Sequence, residues 1–153
     1  GGSMSSGDRY ERHLALALFE AGRGAMRAPS SGSATDRDLP DIIAGKPVVA
    51  NGDTFSEVWV IELKSTSATT AYADSQEIED LVAFADEFGG RALMAGKFKR
   101  PGGARSPFYL VEPEDCRRTD GGNYGIPAAD AEERAHAIVW TSTKNKDAEI
   151  ELR

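Results

Sequence analysis

Cysteine is almost missing from this chain. There is one, Cys116, in 153 residues, which excludes an internal disulfide and a cysteine-based zinc site. Histidine is nearly as scarce: His13 and His136 stand far apart, unlike any metal-ligand spacing. No apolar run approaches the length that spans a bilayer, and no stretch reads as a secretory signal, so no membrane partner and a cytoplasmic location are expected. Lysine is limited to Lys46, Lys64, Lys97, Lys99, Lys144 and Lys146. Positive charge is outnumbered, with 25 acids against 18 bases and a net charge of −7. Taken alone, that balance argues against a nucleic-acid partner. Few lysines with abundant alanine, aspartate and glutamate also suit a salt-rich cytoplasm, as in halophiles. At ~1 M salt the Debye length falls to about 3 Å. Distant acids then no longer repel a phosphate backbone, and a local group of arginines decides. What chemistry remains is carboxylate chemistry.

The chain is organised around two stretches, Leu39-Pro40-Asp41-Ile42-Ile43 and Trp59-Val60-Ile61-Glu62-Leu63-Lys64. On a strand, residues i and i+2 point to one face. Glu62 and Lys64 therefore project together, with Leu63 turned away. If the two runs pair as strands, Asp41 joins them, giving two carboxylates and an ammonium around one point. Two carboxylates suit Mg²⁺, which prefers oxygen ligands. A lysine beside them is a cation for the attacking water or the charged transition state. This resembles the PD…(D/E)xK pattern of metal-dependent nucleases; the bland alternative is an ion pair at a strand end.

Gly1-Gly2-Ser3 ahead of Met4 read as an expression scar and are set aside. The rest reads as one domain over 4–140 with a polar C-terminal tail over 141–153. Asp8 to Ala21 is a predicted helix, stopped by Gly22, with Glu11, Leu14, Ala15 and Leu18 on one stripe. Glu11 is either a first-turn acid favoured by the helix dipole or a third acid for the metal site. Ala25 to Ala28 is a short strand. The hydroxyl-rich loop that follows, with Ser30, Ser31 and Ser33, suits phosphate contact, and Arg27 and Arg37 flank it. Asp41 to Ala44 and Glu57 to Lys64 are strands joined by an Asn51-Gly52-Asp53 turn, a hairpin signature. Ser65 to Ala73 reads as loop, and Gln76 to Phe88 as an amphipathic helix ended by Gly89-Gly90. Ala92 to Lys99 and Phe108 to Val111 form a second hairpin. Glu112 to Arg118 is a short helical turn, Arg117 to Tyr124 a basic loop, and Pro127 to Trp140 a short helix. The fold class is α/β, a mixed central sheet flanked by helices. Trp59, Phe84, Phe88 and Phe108 are expected in the core, Trp140 in the core or at a dimer contact, Cys116 as a buried filler, and both histidines at the surface. Arg117 and Arg118 are open between DNA contact and ion pairing with Glu114 or Asp115.

The segments Arg27 to Ser33, Pro40 to Ala44, Ile61 to Ser65, Phe84-Ala85, Gly89-Gly90 and Arg117 through Tyr124 resemble, in order, the archaeal Holliday junction resolvase family. The resemblance implies a restriction-endonuclease-like core, a two-fold homodimer and Mg²⁺-dependent nicking of opposed strands at four-way junction DNA in recombination and repair, with Mn²⁺ as a possible substitute. By motif position it implies Glu11, Asp41 and Glu62 as metal ligands, Lys64 as a catalytic partner and Ser31 near the scissile phosphate. It marks Arg9, Arg12 and Arg27 as backbone contacts, beside Ser31, Ser33, Arg117 and Arg118. The family often has a glutamine on the second helix near the metal site; the ungapped match puts Glu77 at that place, with Gln76 next to it, and leaves open which of them faces the site. The family is usually basic, and this chain is acidic. Two other readings stand beside it: a repair or restriction-type nuclease on duplex or flapped DNA, and a non-catalytic DNA-binding module with a decayed nuclease core.

Overall fold

The computed structural model describes residues 6–29, 37–100, 102 and 105–153. Helix α1 (Ser6–Glu20) leads into strand β1 (Gly24–Arg27). Strands β2 (Ile42–Ala50) and β3 (Asp53–Thr66) form a long antiparallel hairpin. Its two-residue turn is Asn51-Gly52, both at positive φ (53° and 81°), the conformation that Asn-Gly turns favour because it matches the strand twist. A short strand β4 (Thr70–Ala73) precedes helix α2 (Ser75–Phe88), which returns the chain to β5 (Arg91–Phe98), parallel to β3. Then follow β6 (Phe108–Val111), a single 3₁₀ turn (Pro113–Asp115), β7 (Arg117–Arg118), β8 (Tyr124–Pro127), helix α3 (Ala131–Arg134), β9 (Ala137–Trp140) and β10 (Glu149–Leu152). Seven strands make the main sheet in the order β1-β2-β3-β5-β6-β9-β10, and β4-β8-β7 make a small second sheet.

The alternation along β3 separates two cores. Trp59, Ile61 and Leu63 face α1, where Leu14, Ala17 and Leu18 pack with Ile42 and Ala44. Val60 faces α2, where Ile78, Leu81 and Ala85 pack with Met94 and Ile126. The sheet is thus a middle layer with one helix on each face. Truncating a fully buried leucine such as Leu14 to alanine typically costs about 2–5 kcal/mol. Two glycines let α2 end and dock. Gly89 takes the left-handed C-terminal position at φ 87°. At Gly90 a Cβ would stand 2.9 Å from Val60 Cγ2, so only glycine lets the chain pass this close to β3.

The expected elements from residue 8 to 66 and from 75 to 111 are present, with shifted ends. Four differ in kind. The stretch 117–124 expected as a basic loop carries strand β7 and the start of β8. The stretch 65–73 expected as loop ends in strand β4. The expected helix over 127–140 is a 3₁₀ turn and four helical residues, after which Ala135 is extended (φ −69°, ψ 135°) and Ala137-Ile138-Val139-Trp140 becomes a strand. Its β-branched and aromatic side chains fill a slot between β6 and β10. The stretch expected as a polar tail carries β10, whose Ile150 packs against the α1-side core. Phe88, expected inside, is 53% exposed, with Phe84 stacked on it at 5.6 Å between ring centres. Trp59 and Phe108 are fully buried as expected. His13 is exposed, while His136 is half-buried edge-on against Trp59. Cys116 is a buried filler whose thiol burial pushes up to about 12.

Candidate active site

Asp41 stands where β2 begins. Its backbone N–H donates to Ile61 O at 2.8 Å, which sets it across from β3. Its side-chain Oδ2 accepts the Leu63 N–H at 2.7 Å, which turns the carboxyl onto the edge of β3 beside Glu62. Glu62 is 9% exposed. Burial raises the pKa of both carboxyls, and the Asp41 charge pushes Glu62 further. With both carboxyls held above their ordinary values, the pair favours one shared proton over two negative charges side by side.

Lys64 follows on the same face. Its Nζ lies 3.9 Å from Glu62 Oε2 and 2.5 Å from Glu77 Oε2. Burial opposes its charge, but the Glu77 hydrogen bond and the surrounding carboxylates outweigh burial and hold the amine above the ordinary lysine value. Glu77 is itself fixed by helix chemistry. Asp74 caps α2 by accepting Glu77 N–H at 2.8 Å, while Glu77 Oε1 accepts Asp74 N–H at 3.1 Å, a complete capping box. One glutamate therefore closes the first turn of α2 with one oxygen and tethers Lys64 with the other. Gln76 turns instead to Asp80, 2.9 Å away. Glu77, and not Gln76, is therefore the α2 residue that contacts Lys64. The Asp74-x-x-Glu77 spacing was the sequence signal for it. Asp80, buried and not singled out by the sequence, accepts Asp38 N–H at 3.1 Å, and Arg37 pairs with Glu87 at 2.8 Å, so α2 also holds the chain that enters Asp41.

Glu11 stands at the margin of this group. Burial and the Asp41 charge raise its pKa, and Arg27 Nη2 opposes them from 3.5 Å. The same guanidinium bonds Asp8. Arg27 is therefore engaged between two acids, and Arg12 pairs with Asp8 at 3.7 Å. Arg9 is exposed and donates to Tyr10 Oη at 3.1 Å. Ser31 and Ser33 lie outside the described residues. Arg117 and Arg118 bond tyrosine hydroxyls, Tyr72 at 3.2 Å and Tyr124 at 2.9 Å, and among the described residues neither pairs with Glu114 or Asp115.

The structure therefore brings Asp41, Glu62 and Lys64 together, with Glu11 reaching the group through the field of Asp41. Among the described residues, the three acids whose ligand oxygens all lie within 4.8 Å of one another are a different set, Glu112, Glu114 and Asp115. Those are solvated side chains around the 3₁₀ turn after β6, two of them exposed. The Asp41–Glu62 pair is the better seat on chemical grounds: two oxygen donors, Glu62 buried and Asp41 half-buried, whose raised pKa values show that they need positive charge between them. A hard divalent cation fits that need. Recruiting Glu11 as well requires Arg27 to give it up.

A mixed sheet with a helix on each face, and an Asp…Glu-x-Lys group at the start of β2 and along β3, define a nuclease of the restriction-endonuclease-like class. A sequence profile for "Archaeal holliday junction resolvase (hjc)" matches residues 3–140. A crossover junction endodeoxyribonuclease Hjc of Archaeoglobus fulgidus is 36% identical over 71% of this chain and 73% of its own length. One from Methanocaldococcus jannaschii is 31% identical over 87% of this chain and 80% of its own. The solved structure of Archaeoglobus fulgidus Hjc, a Holliday junction resolvase from an archaeal hyperthermophile, superposes with a TM-score of 0.65 at 29% identity, covering 83% of this chain and 93% of that one. The chain belongs to the archaeal Holliday junction resolvase family.

Proposed function

We propose that the chain is a structure-selective endonuclease that resolves four-way DNA junctions by paired nicks, and that it works as a cytoplasmic homodimer with Mg²⁺, or Mn²⁺ in its place. The observation that carries the site is the Asp41–Glu62 carboxyl pair, half-buried and buried, with the Lys64 ammonium beside it. Asp41 and Glu62 would hold the cation, with Glu11 as a third acid once Arg27 releases it. When bound, the metal supplies charge neutralisation on the scissile phosphate and activation of water. The residues do the rest. Leu63 N–H fixes the orientation of Asp41. Glu77 holds Lys64 as a cation, so its role is to orient the attacking water and offset developing charge rather than to take a proton. Arg9, Arg12, Arg27, Arg117 and Arg118, with Ser31 and Ser33 of the serine loop, would contact phosphates, which position DNA without reading sequence. Two-fold symmetry would place two such sites on the two strands to be cut.

A face suited to the second copy lies at the other end of α2. Phe88 and Met26 are 53% and 60% exposed, and they border a groove with Ala25, Ile43 and Val58. Among the described residues no helix is long and apolar enough to cross a membrane.

The test is a nicking assay on a synthetic four-way junction and a linear duplex of the same sequence, with Mg²⁺, from low to molar salt. The junction should be cut in preference to the duplex. Asp41→Asn and Lys64→Ala should still bind the junction but not cut it. Equal cutting of duplex would move the reading to a repair or restriction-type nuclease. Wild-type nicking by either variant would refute the site.

A further inference from the structure

The small sheet β4-β8-β7 has an outward face to which the nuclease chemistry gives no task. Its register places Tyr72 opposite Gly125, and Gly125 opposite Arg117. Partners on neighbouring antiparallel strands share a face, so these three residues form one row. The other face carries Ala71, Ala73 and Ile126, all buried; the Tyr72 row therefore looks outward. Gly125 has no side chain, and the Tyr72 ring lies over it. A Cβ at Gly125 would stand 3.0 Å from Cε1 and 3.3 Å from Cδ1 of that ring. One side of the ring thus rests on backbone. The other is open, and Tyr72 is 49% exposed.

Arg117 reaches across the gap above Gly125 and donates from Nη2 to Tyr72 Oη at 3.2 Å, which pins the ring flat. In the next row, whose side chains turn to the opposite face with Ala73, Arg118 stacks over Tyr124, 3.9 Å from guanidinium carbon to ring centre. Among the described residues Arg117 has no acid partner, in a chain with seven net negative charges. The location is close to the chemistry along the chain. β4 runs directly into Asp74, the cap of α2, and Asp74 shares its capping box with the Glu77 that holds Lys64.

We propose that the Tyr72 ring is a stacking seat for one base exposed at the branch of the DNA substrate, with Arg117 taking an adjoining phosphate. This rests on the resolvase reading and goes beyond it by assigning how a branch is told from a duplex. Inside a continuous duplex each base is covered on both sides and offers only its edges. At a branch the stack is interrupted and a base can expose its flat face. A tyrosine with one free face accepts any base, so the recognition is of structure and not of sequence. The flat seat on Gly125 and the Arg117 hydrogen bond order the ring in advance, which lowers the entropy lost on binding. Among the described residues Arg117 bonds a phenol and no acid, so it can take a phosphate without first breaking an ion pair.

The experiment measures binding of the full chain, without added Mg²⁺, to a labelled four-way junction and to the linear duplex. Tyr72→Leu should weaken junction binding about tenfold and leave duplex binding within about twofold, while Tyr72→Phe, which keeps the ring, stays near wild type. Thermal melts of each variant check the fold. A folded Tyr72→Leu with wild-type junction affinity overturns the proposal, and so does a parallel loss on junction and duplex, which is what a structural role alone would give. A second readout needs no variant: 2-aminopurine at the branch should be quenched when the wild-type chain binds. A rise to the level of a free unstacked base there overturns the proposal independently. Binding needs no cleavage, so a chain that seats the branch base through Tyr72 yet never nicks would refute the resolvase reading and leave this one standing.

Discussion

At the scale of single residues, the Asp41–Glu62 pair couples function to instability. Burial, then the Asp41 charge, raises Glu62 from its ordinary 4.5 to about 9. Between those two values the folded chain holds a proton that the unfolded chain releases. Protons bound to the folded state favour it at low pH, so this contribution is complete below 4.5 and is lost as pH rises toward 9. Melts in chelator should therefore decline across that window. Mg²⁺ replaces the proton, so the gap between melts with and without it should widen with pH; a constant gap would contradict the shared proton. Asp41→Asn separates this from the general acidity of the chain. It removes the charge next to Glu62 and keeps an oxygen for the Leu63 N–H. The decline in chelator should flatten and the midpoint rise by about 2–4 °C, corresponding to roughly 1 kcal/mol. Nicking should be lost at the same time. A variant that is more stable and inactive is the signature of a site strained for its ligand.

At the scale of elements, α2 is both a structural helix and the holder of Lys64. Asp74→Ala opens the capping box and should cost about 1 kcal/mol of stability. It also leaves Glu77 with one anchor instead of two, so junction nicking should fall by more than the stability loss explains, while junction binding is kept. Unchanged nicking at a temperature where the variant is fully folded would mean that Glu77 does not need its cap to position the lysine. This part of the site was legible in the residues. Period-two alternation put Glu62 and Lys64 on one face and the Asn51-Gly52 turn fixed the β2–β3 register; the Asp74-x-x-Glu77 spacing was there to be read as a capping box but was not. The last third was not legible, for a physical reason. Ala137 to Trp140 is four residues long and follows an alanine-rich stretch compatible with helix. Glu149-Ile150-Glu151-Leu152 alternates, but Leu152 stays 64% exposed and the composition is that of a tail. Each becomes a strand because the other supplies its hydrogen bonds, with Trp140 Nε1 donating to Glu151 Oε1 at 3.1 Å as a further tie. No local window contains that pairing. Removing residues 147–153 should therefore lower the melting midpoint by several degrees, since it exposes β9 and uncovers the core beside Ala148 and Ile150. A midpoint unchanged by the truncation would show that β10 contributes nothing to the fold.

At the scale of the whole molecule, the acidic chain and the paired cuts make opposite demands on one surface. A net charge of −7 works against bringing two copies together and against DNA, and both effects fade in salt. Apolar contact is the attraction that salt does not screen. The groove that Met26 and Phe88 border on the β1–β2 side offers it, and its Phe88 end is separated from Glu77 by the length of α2. From Glu77 to Phe88 is eleven residues (88 − 77), about 16 Å along a helix. A charge placed at Phe88 should therefore split the dimer and spare each active site. Phe88→Glu is expected to run as a monomer in light scattering at molar salt while still nicking junctions slowly. The difference should show on a supercoiled plasmid carrying an extruded cruciform. Two coordinated cuts in one encounter linearise it; a single cut releases the supercoiling, the cruciform is reabsorbed, and the second cut has no substrate. Wild type should give mainly linear product and Phe88→Glu mainly open circles at equal total nicking. Linear product from a confirmed monomer would mean that the paired cuts do not depend on this face, and the second copy would have to dock elsewhere.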